Sequence, residues 1–489
     1  MPDPNDWAAA PDEDGLSYIA HLLDNIVSHT SFVPIDILPR LPVELARSIF
    51  HFACSAEPSN QQRLLPISHR VASVCRAWRA IALADPILWA SFVVRIDSRQ
   101  PISVIQVWLE RSSGAPLDIT IIQQFERVTI DVTSTMTTLV SSIRRWRRLH
   151  IHVRHVTTLR AMISHISGTA PILEELMFRH DKSTSEDVAL PLPISFTFPH
   201  LRILSIDCII FSYISNIHPQ QLEWPAHTLQ SLSILHPSFD YDSPPVVASI
   251  RAVLAIAVRS PALNFLSLGD FVVKNNNDQQ GRPAVYPLMA LQKMTCDHIS
   301  PDVIQDFFQL TETPSLDILE IVDSPEIPRG LGNICSNRFR SLRLVNTGDR
   351  PYIKDIRPLL FDCDDLYLSH IRGFDDSVIL AMSRSHGPAG TGTWVCPHLV
   401  SLEIYRWSRF SAPYMRQMIA ARQDASLDPA SHVVAIKRLV VHDPPRISSE
   451  DWAWFNKNLE SFSWNRGTRP NVSTSNVHVY ETSTFEYHD

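Results

Sequence analysis

The strongest constraint in this sequence of 489 residues is a short apolar pattern that returns at bounded intervals. LRILSI from Leu201 places apolar residues at relative positions 1, 4 and 6, and the spacing recurs in LQSLSI from Leu229, LNFLSL from Leu263, LDILEI from Leu316, FRSLRL from Phe339 and LVSLEI from Leu399. Looser copies begin at Trp146, Leu173, Leu291, Cys363, Ile436 and Leu459. Successive starts lie 23 to 37 residues apart, and eight of the eleven intervals are 28 or shorter, which marks stacked supersecondary units rather than one compact core. Alternation at positions 4 and 6 buries one face of a short strand, and position 1 reaches the same core from the turn before it. In five copies a proline stands two residues before position 1, at Pro171, Pro199, Pro261, Pro314 and Pro397, where its fixed φ and missing amide proton end one element before the next strand begins.

Between strands the apolar period shifts to that of a helix, in the stripes Met136, Leu139, Val140, Ile143; Leu159, Met162, Ile163, Ile166; and Val246, Ile250, Val253, Leu254, Ala257. Strands running one way with helices between them form a parallel sheet, and units this short must stack because none buries its apolar face alone. The expected fold is α/β: an irregular leucine-rich-repeat solenoid over residues 100–468, with parallel strands on the concave side and helices outside. Pro116 to Ile121, preceded by the stripe Ile102, Ile105, Trp108 and Leu109, is expected to be an atypical first unit. The Asn or Cys usual at position 9 is replaced by Ile209, Pro237, Phe271, Ser324, Thr347 and Trp407, so irregular loops are expected.

Residues 38–92 precede the repeats and carry three helix signals. Pro42 suits a first helical turn, followed by Val43, Leu45, Ala46, Ile49 and Phe50; a second helix carries Val71, Val74, Cys75, Trp78 and Ile81; Asp85-Pro86 opens a third with Leu88 and Trp89. So small a bundle cannot bury all of these side chains internally, so part of its surface meets a partner or caps the solenoid. LPVELARSIF, VCRAWRAIA and ADPILWASF together resemble the F-box, and F-box plus leucine-rich repeats resembles substrate receptors of cullin-based ubiquitin ligases, including the large families of mushroom-forming fungi. The resemblance implies that Leu41, Pro42, Ile49, Phe50, Val74, Cys75, Trp78, Leu88 and Trp89 form the interface with a Skp-type adaptor, or the core just beneath it, and that the adaptor links the chain to a cullin. Residues 1–37 hold a further amphipathic stripe from Leu16 to Val27, and 469–489 form a polar tail.

The formal charge of −8 offers no attraction for nucleic acid or a membrane surface, no apolar run reaches the ~20 residues of a spanning helix, and the acidic N-terminus lacks a secretory pattern. Seven cysteines without CxxC spacing suggest reduced thiols, placing the protein in the cytoplasm, the nucleus or both. His150, His152 and His155 follow an arginine run, yet the strand pattern puts the first two on an exposed strand face, with no nearby carboxylate or cysteine to complete a metal site. Gly387 to Trp394 lacks the GK[ST] ending of a phosphate cradle. No catalytic constellation, cofactor site or metal set is expected. In a horseshoe, positions 3, 5 and 7 line the concave face, giving Glu320, Arg343, Asp365, Tyr367, Glu403, Tyr405, Arg438 and His442 as contacts for an unidentified target protein. The functional expectation is a non-catalytic ligase subunit, with a structural interaction scaffold as the alternative.

Overall fold

The computed structural model describes residues 42–55, 67–97, 102–125, 128, 130–182, 195–211, 227–235, 246–248, 250–269, 271–273, 285–299, 301–323, 338–346, 362–371, 373–385, 394–405 and 410–465. The stripe Leu16–Val27, Leu41, the Gly387–Thr393 stretch and the polar tail lie outside them. The chain divides into two units, Met1–Trp89 and Ala90–Asp489.

Among the described residues the second unit is built on one parallel sheet of 14 strands that follow one another in chain order. They are β1 Ser91–Arg95, β2 Leu117–Ile122, β3 Trp146–His155, β4 Glu175–Lys182, β5 Ile203–Asp207, β6 Ser231–Leu235, β7 Phe265–Gly269, β8 Lys293–Asp297, β9 Ile318–Val322, β10 Phe339–Val345, β11 Cys363–Ser369, β12 Ser401–Tyr405, β13 Arg438–His442 and β14 Ser461–Asn465. Every segment carrying the apolar pattern is one of these strands, and the pattern stays in register from strand to strand. Leu204 pairs with Leu232, Leu232 with Leu266, Leu319 with Leu342 and Leu342 with Leu366. From Leu149 to Val441, the side chains at positions 4 and 6 are no more than 2 % exposed. Helices return the chain between strands, among them α4 Ile102–Arg111, α5 Val132–Val140, α6 Val156–His165, α7 Ile250–Val258, α8 Pro301–Leu310, α9 Asp376–Met382, α10 Ala412–Ser426 and α11 Ser449–Asn458, and the buried residues of α6, Val156, Leu159, Met162 and Ile163, close over the core beside β3.

Two kinds of turn recur around the strands. Before a strand, the expected proline occupies the second position of a turn whose first carbonyl accepts from position 1: Leu201 N donates to Phe198 O (3.3 Å), Leu263 N to Ser260 O (2.9 Å) and Leu399 N to Cys396 O (3.1 Å). Proline pre-sets φ for that place and loses no hydrogen bond there. After the strand, position 8 takes a positive φ at His298, Asp323, Asn346, His370 and Asp443, all between 48° and 56°. Each of these amides donates to the carbonyl at position 7 of the next strand, as from Asp323 to Val345 (2.9 Å) and from Asn346 to Ser369 (2.7 Å). Short polar residues tolerate the left-handed region best, so the residue that bends the chain sits at position 8 rather than at position 9, where the sequence pattern was sought.

Three expectations need correction. The sheet opens with β1, which pairs Phe92 with Ile119, so β2 is its second strand and not its first unit. Val246 lies in a short strand, Val246–Ala248, paired with Phe271–Val273, because α7 starts only at Ile250. The histidines of β3 do have carboxylate neighbours, supplied across the ladder: His150 Nε2 lies 2.9 Å from Glu175 Oε1 and His152 Nε2 2.6 Å from Asp181 Oδ1. The arginines beside them hold Asp118 of β2, Arg147 at 2.6 Å and Arg148 at 2.5 Å. Burial raises the Asp118 pKa, and the hydrogen bonds and charges of Arg147 and Arg148 together more than reverse it, leaving the carboxyl below its usual value.

On α10, Arg422 is fully buried and donates to the carbonyls of Val395 (3.1 Å), Cys396 (2.5 Å) and Pro397 (3.1 Å), fixing the turn before β12. If position 8 is held by backbone conformation, Asn346→Val will be less stable than Asn346→Gly by about 1–2 kcal/mol in urea unfolding, since glycine has no Cβ to clash in the left-handed region and valine's branched Cβ clashes most.

Candidate functional site

In the first unit, α1 Val43–Ser55 starts at Pro42, whose carbonyl accepts from Ala46 N at 3.2 Å. The expected second helix is broken in two, α2 Ile67–Val74 and α3 Arg76–Leu83. Cys75 is the break: its backbone is extended, and its Sγ accepts from Trp78 N at 3.4 Å, so the thiol caps α3 as a serine would. A 3₁₀ turn, Pro86–Trp89, closes the unit, with Asp85 Oδ1 accepting from Ile87 N at 3.2 Å. Asp85 Oδ2 also lies 2.9 Å from His51 Nε2, which ties the turn to α1.

This geometry separates the sequence candidates into two roles. Phe50 and Trp89 are 1 % exposed and Leu88 is buried. Trp89 Nε1 donates to Ala82 O at 2.8 Å, and Phe50 packs on Trp78 with ring centroids 5.0 Å apart. These side chains are core, and Trp78 and Cys75 lie half-buried at its margin. Pro42, Ile49 (47 % exposed) and Val74 (60 % exposed) are on the surface. The structure adds Val43, Leu45, Phe52, Leu83 and Ile87, all exposed apolar residues that the sequence reading did not single out as contacts. A signal was present: Leu45, Ile49 and Phe52 recur at i, i+4 and i+7, a second apolar stripe distinct from the inward pair Ala46 and Phe50. An exposed apolar stripe of this kind marks α1 as a candidate contact surface.

Residues 38–95 match the family model described as F-box-like. F-box-like domains are generally the modules through which substrate receptors of SCF ubiquitin ligases bind a Skp-type adaptor, and through it a cullin. Among the described residues the matched F-box-like region spans α1, α2, α3, the 3₁₀ turn and β1. No curated protein matches the sequence.

The sheet carries the other sequence candidates, and register brings them together. Glu320, Arg343, Tyr367 and Glu403 are successive neighbours in one row across β9 to β12. Asp365 and Arg438 occupy the adjoining row on either side of Ser401, and Tyr405 pairs with His442. Arg343 lies 3.8 Å from Glu320 and its guanidinium stacks 4.7 Å over the Tyr367 ring. Tyr367 and Tyr405 have centroids 5.1 Å apart, and Tyr405 stacks on His442 at 4.0 Å. Tyr405 donates to Glu403 at 2.6 Å, and Arg438 lies 3.5 Å from the same carboxylate. Burial, with Glu403 as acceptor, pushes the Tyr405 phenol far above its usual range, so it remains a donor at every physiological pH. Lys293, 3.1 Å from Glu320, belongs to the same network and went unnoticed because β8 carries one of the looser copies.

Among the described residues one donor cluster, Asp297, His298 and Asp323, lies within 4.8 Å. His298 Nδ1 faces both carboxylates, at 3.1 and 3.8 Å, so the ring bridges the ends of two neighbouring strands. No helix among the described residues is long and apolar enough to cross a membrane.

The two roles in the first unit predict opposite outcomes. Phe50→Ala will cost about 3–5 kcal/mol and melt the F-box-like region, as read by proteolysis between residues 42 and 89. Ile49→Asp and Val74→Asp will leave its stability within about 0.5 kcal/mol of wild type.

Proposed function

We propose that the chain is the substrate-recognition subunit of a cullin-based (SCF-type) ubiquitin ligase. The F-box-like region binds a Skp-type adaptor, and the strand array, read as an irregular leucine-rich-repeat solenoid, holds a target protein. The observation that carries this reading is the exposed second stripe of α1, Leu45, Ile49 and Phe52, inside the region that matches the F-box-like family. The chain supplies no catalytic group in this reading. Holding the target beside the ubiquitin-loading enzyme raises the effective concentration of the reacting groups, which is a sufficient contribution to rate.

The face bearing positions 3, 5 and 7 is where the target docks. Its ion pairs and stacked rings sit on strands whose backbone groups are already paired in the ladder, so recognition passes through side chains. Those side chains vary without disturbing positions 4 and 6, which is how one frame serves different targets. None of the six cysteines among the described residues is in a disulfide, in keeping with work in the cytoplasm or nucleus.

Co-elution with purified Skp-type adaptor in gel filtration tests the reading. Wild type will co-elute, while Ile49→Asp combined with Val74→Asp will not, at unchanged stability. A wild-type chain that does not bind the adaptor would leave the protein as an interaction scaffold outside any ligase.

A further inference from the structure

We propose that Asp297, His298 and Asp323 bind a zinc ion at the ends of β8 and β9, with the rest of its coordination sphere open to solvent. The inference stands apart from both adaptor binding and target recognition.

The site is assembled by the turns that follow the two strands. Asp297 is the last residue of β8, and His298 and Asp323 are the position-8 residues after β8 and β9, with φ of 48° and 49°. Their amides are held by the ladder, His298 N donating to Val322 O at 3.0 Å and Asp323 N to Val345 O at 2.9 Å. The imidazole and the second carboxylate therefore leave equivalent points on adjacent strands, fixed by backbone bonds rather than by their own contacts. Sequence spacing does not announce them, because Asp323 stands 25 residues beyond His298.

The donor geometry points to one metal ion. Donor atoms from all three residues lie within 4.8 Å of one another, and His298 Nδ1 is 3.1 Å from Asp297 Oδ1 and 3.8 Å from Asp323 Oδ2. Atoms bound to one tetrahedral zinc at about 2.0–2.1 Å sit about 3.3–3.4 Å apart, a value that the two measured separations bracket. A hydrogen bond alone accounts for only half of the arrangement: one Nδ1 proton serves Asp297, while Asp323 lies beyond its reach. A dication between them serves both carboxylates. The Nδ1 proton moves to Nε2 or to solvent when the ion binds, leaving a neutral ring and two carboxylates that balance the charge. Imidazole nitrogen with carboxylate oxygen is a zinc donor set, whereas calcium and magnesium take oxygen ligands. Asn346, the position-8 residue of the next strand, hydrogen-bonds the Asp323 side chain, and such an outer partner orients a ligating carboxylate. The three side chains are 23–41 % exposed, so an ion enters from solvent and keeps water in its open position.

The test uses the full-length chain, stripped of metal and titrated with zinc chloride against a chromophoric chelator, with melting followed in parallel. Wild type will take zinc from the chelator and melt at a higher temperature with zinc than without. His298→Asn and Asp323→Asn tolerate the left-handed backbone, will melt as wild type does without metal, and will weaken zinc binding tenfold or more. His152→Ala, on another part of the sheet, will bind zinc as wild type does. X-ray absorption of zinc-loaded wild type keeps the assignment testable even where a variant fails to fold: the nearest shell will be nitrogen and oxygen alone. Absence of zinc binding by the wild type, equal affinity in the two Asn variants, or a sulfur shell around the ion overturns the inference. Adaptor binding by the same samples is expected to be unchanged by zinc, and its failure in the wild type strikes the ligase reading while the zinc titrations still decide this site.

Discussion

Everything in the second unit depends on one packing constraint, the burial of positions 4 and 6 by strands that cannot do it singly. A five-residue parallel strand offers only two or three apolar side chains to one side. It becomes stable when neighbours in the same register extend those side chains into continuous rows, here Leu204–Leu232–Leu266–Met294 on the position-4 row and Ile206–Ile234 with Leu268–Cys296 on the position-6 row. A slip of one residue in any pair would turn an apolar row out to solvent, so the core enforces the register. The same register lines up the outward residues, and this is how Glu320, Arg343, Tyr367 and Glu403 become neighbours although 83 residues separate the first from the last in sequence. The candidate target face is thus a by-product of core packing, with its chemistry free to vary.

The strands and their order were legible because the signal that specifies them is local and repeated. Leu342 and Leu344 announce a buried strand face within a single hexapeptide, and the proline turns confirm where strands such as β5, β7 and β12 begin. The position-8 turns were harder to read, because His298, Asp323, Asn346, His370 and Asp443 share a tolerance of positive φ rather than one residue type. β1 was missed for a different reason. It lacks a leucine at position 1 and follows directly on the helical segment, so only its pairing with β2 shows that Phe92 and Val94 belong to the rows of the sheet.

The first unit shows where reading an apolar helix from sequence stops. Periodicity marks Phe50 and Ile49 equally as hydrophobic residues on α1, yet one lies in the core and the other faces solvent, and which is which depends on the placement of α3 and the 3₁₀ turn. The break at Cys75 was equally hidden, since a thiol acting as a helix cap has no strong compositional signature. Likewise, the pairing of His150 and His152 with Glu175 and Asp181 needed the ladder, because those partners stand 25 and 29 residues away.

The central claim is that one surface docks an adaptor while a separate one stays available for a target. Hydrogen exchange followed by mass spectrometry, on the full chain with and without purified Skp-type adaptor, addresses it directly. The account predicts slowed exchange confined to residues 42–89, strongest in α1, with the strands β9–β13 unchanged. Protection centred on those strands, or none in α1, would contradict it.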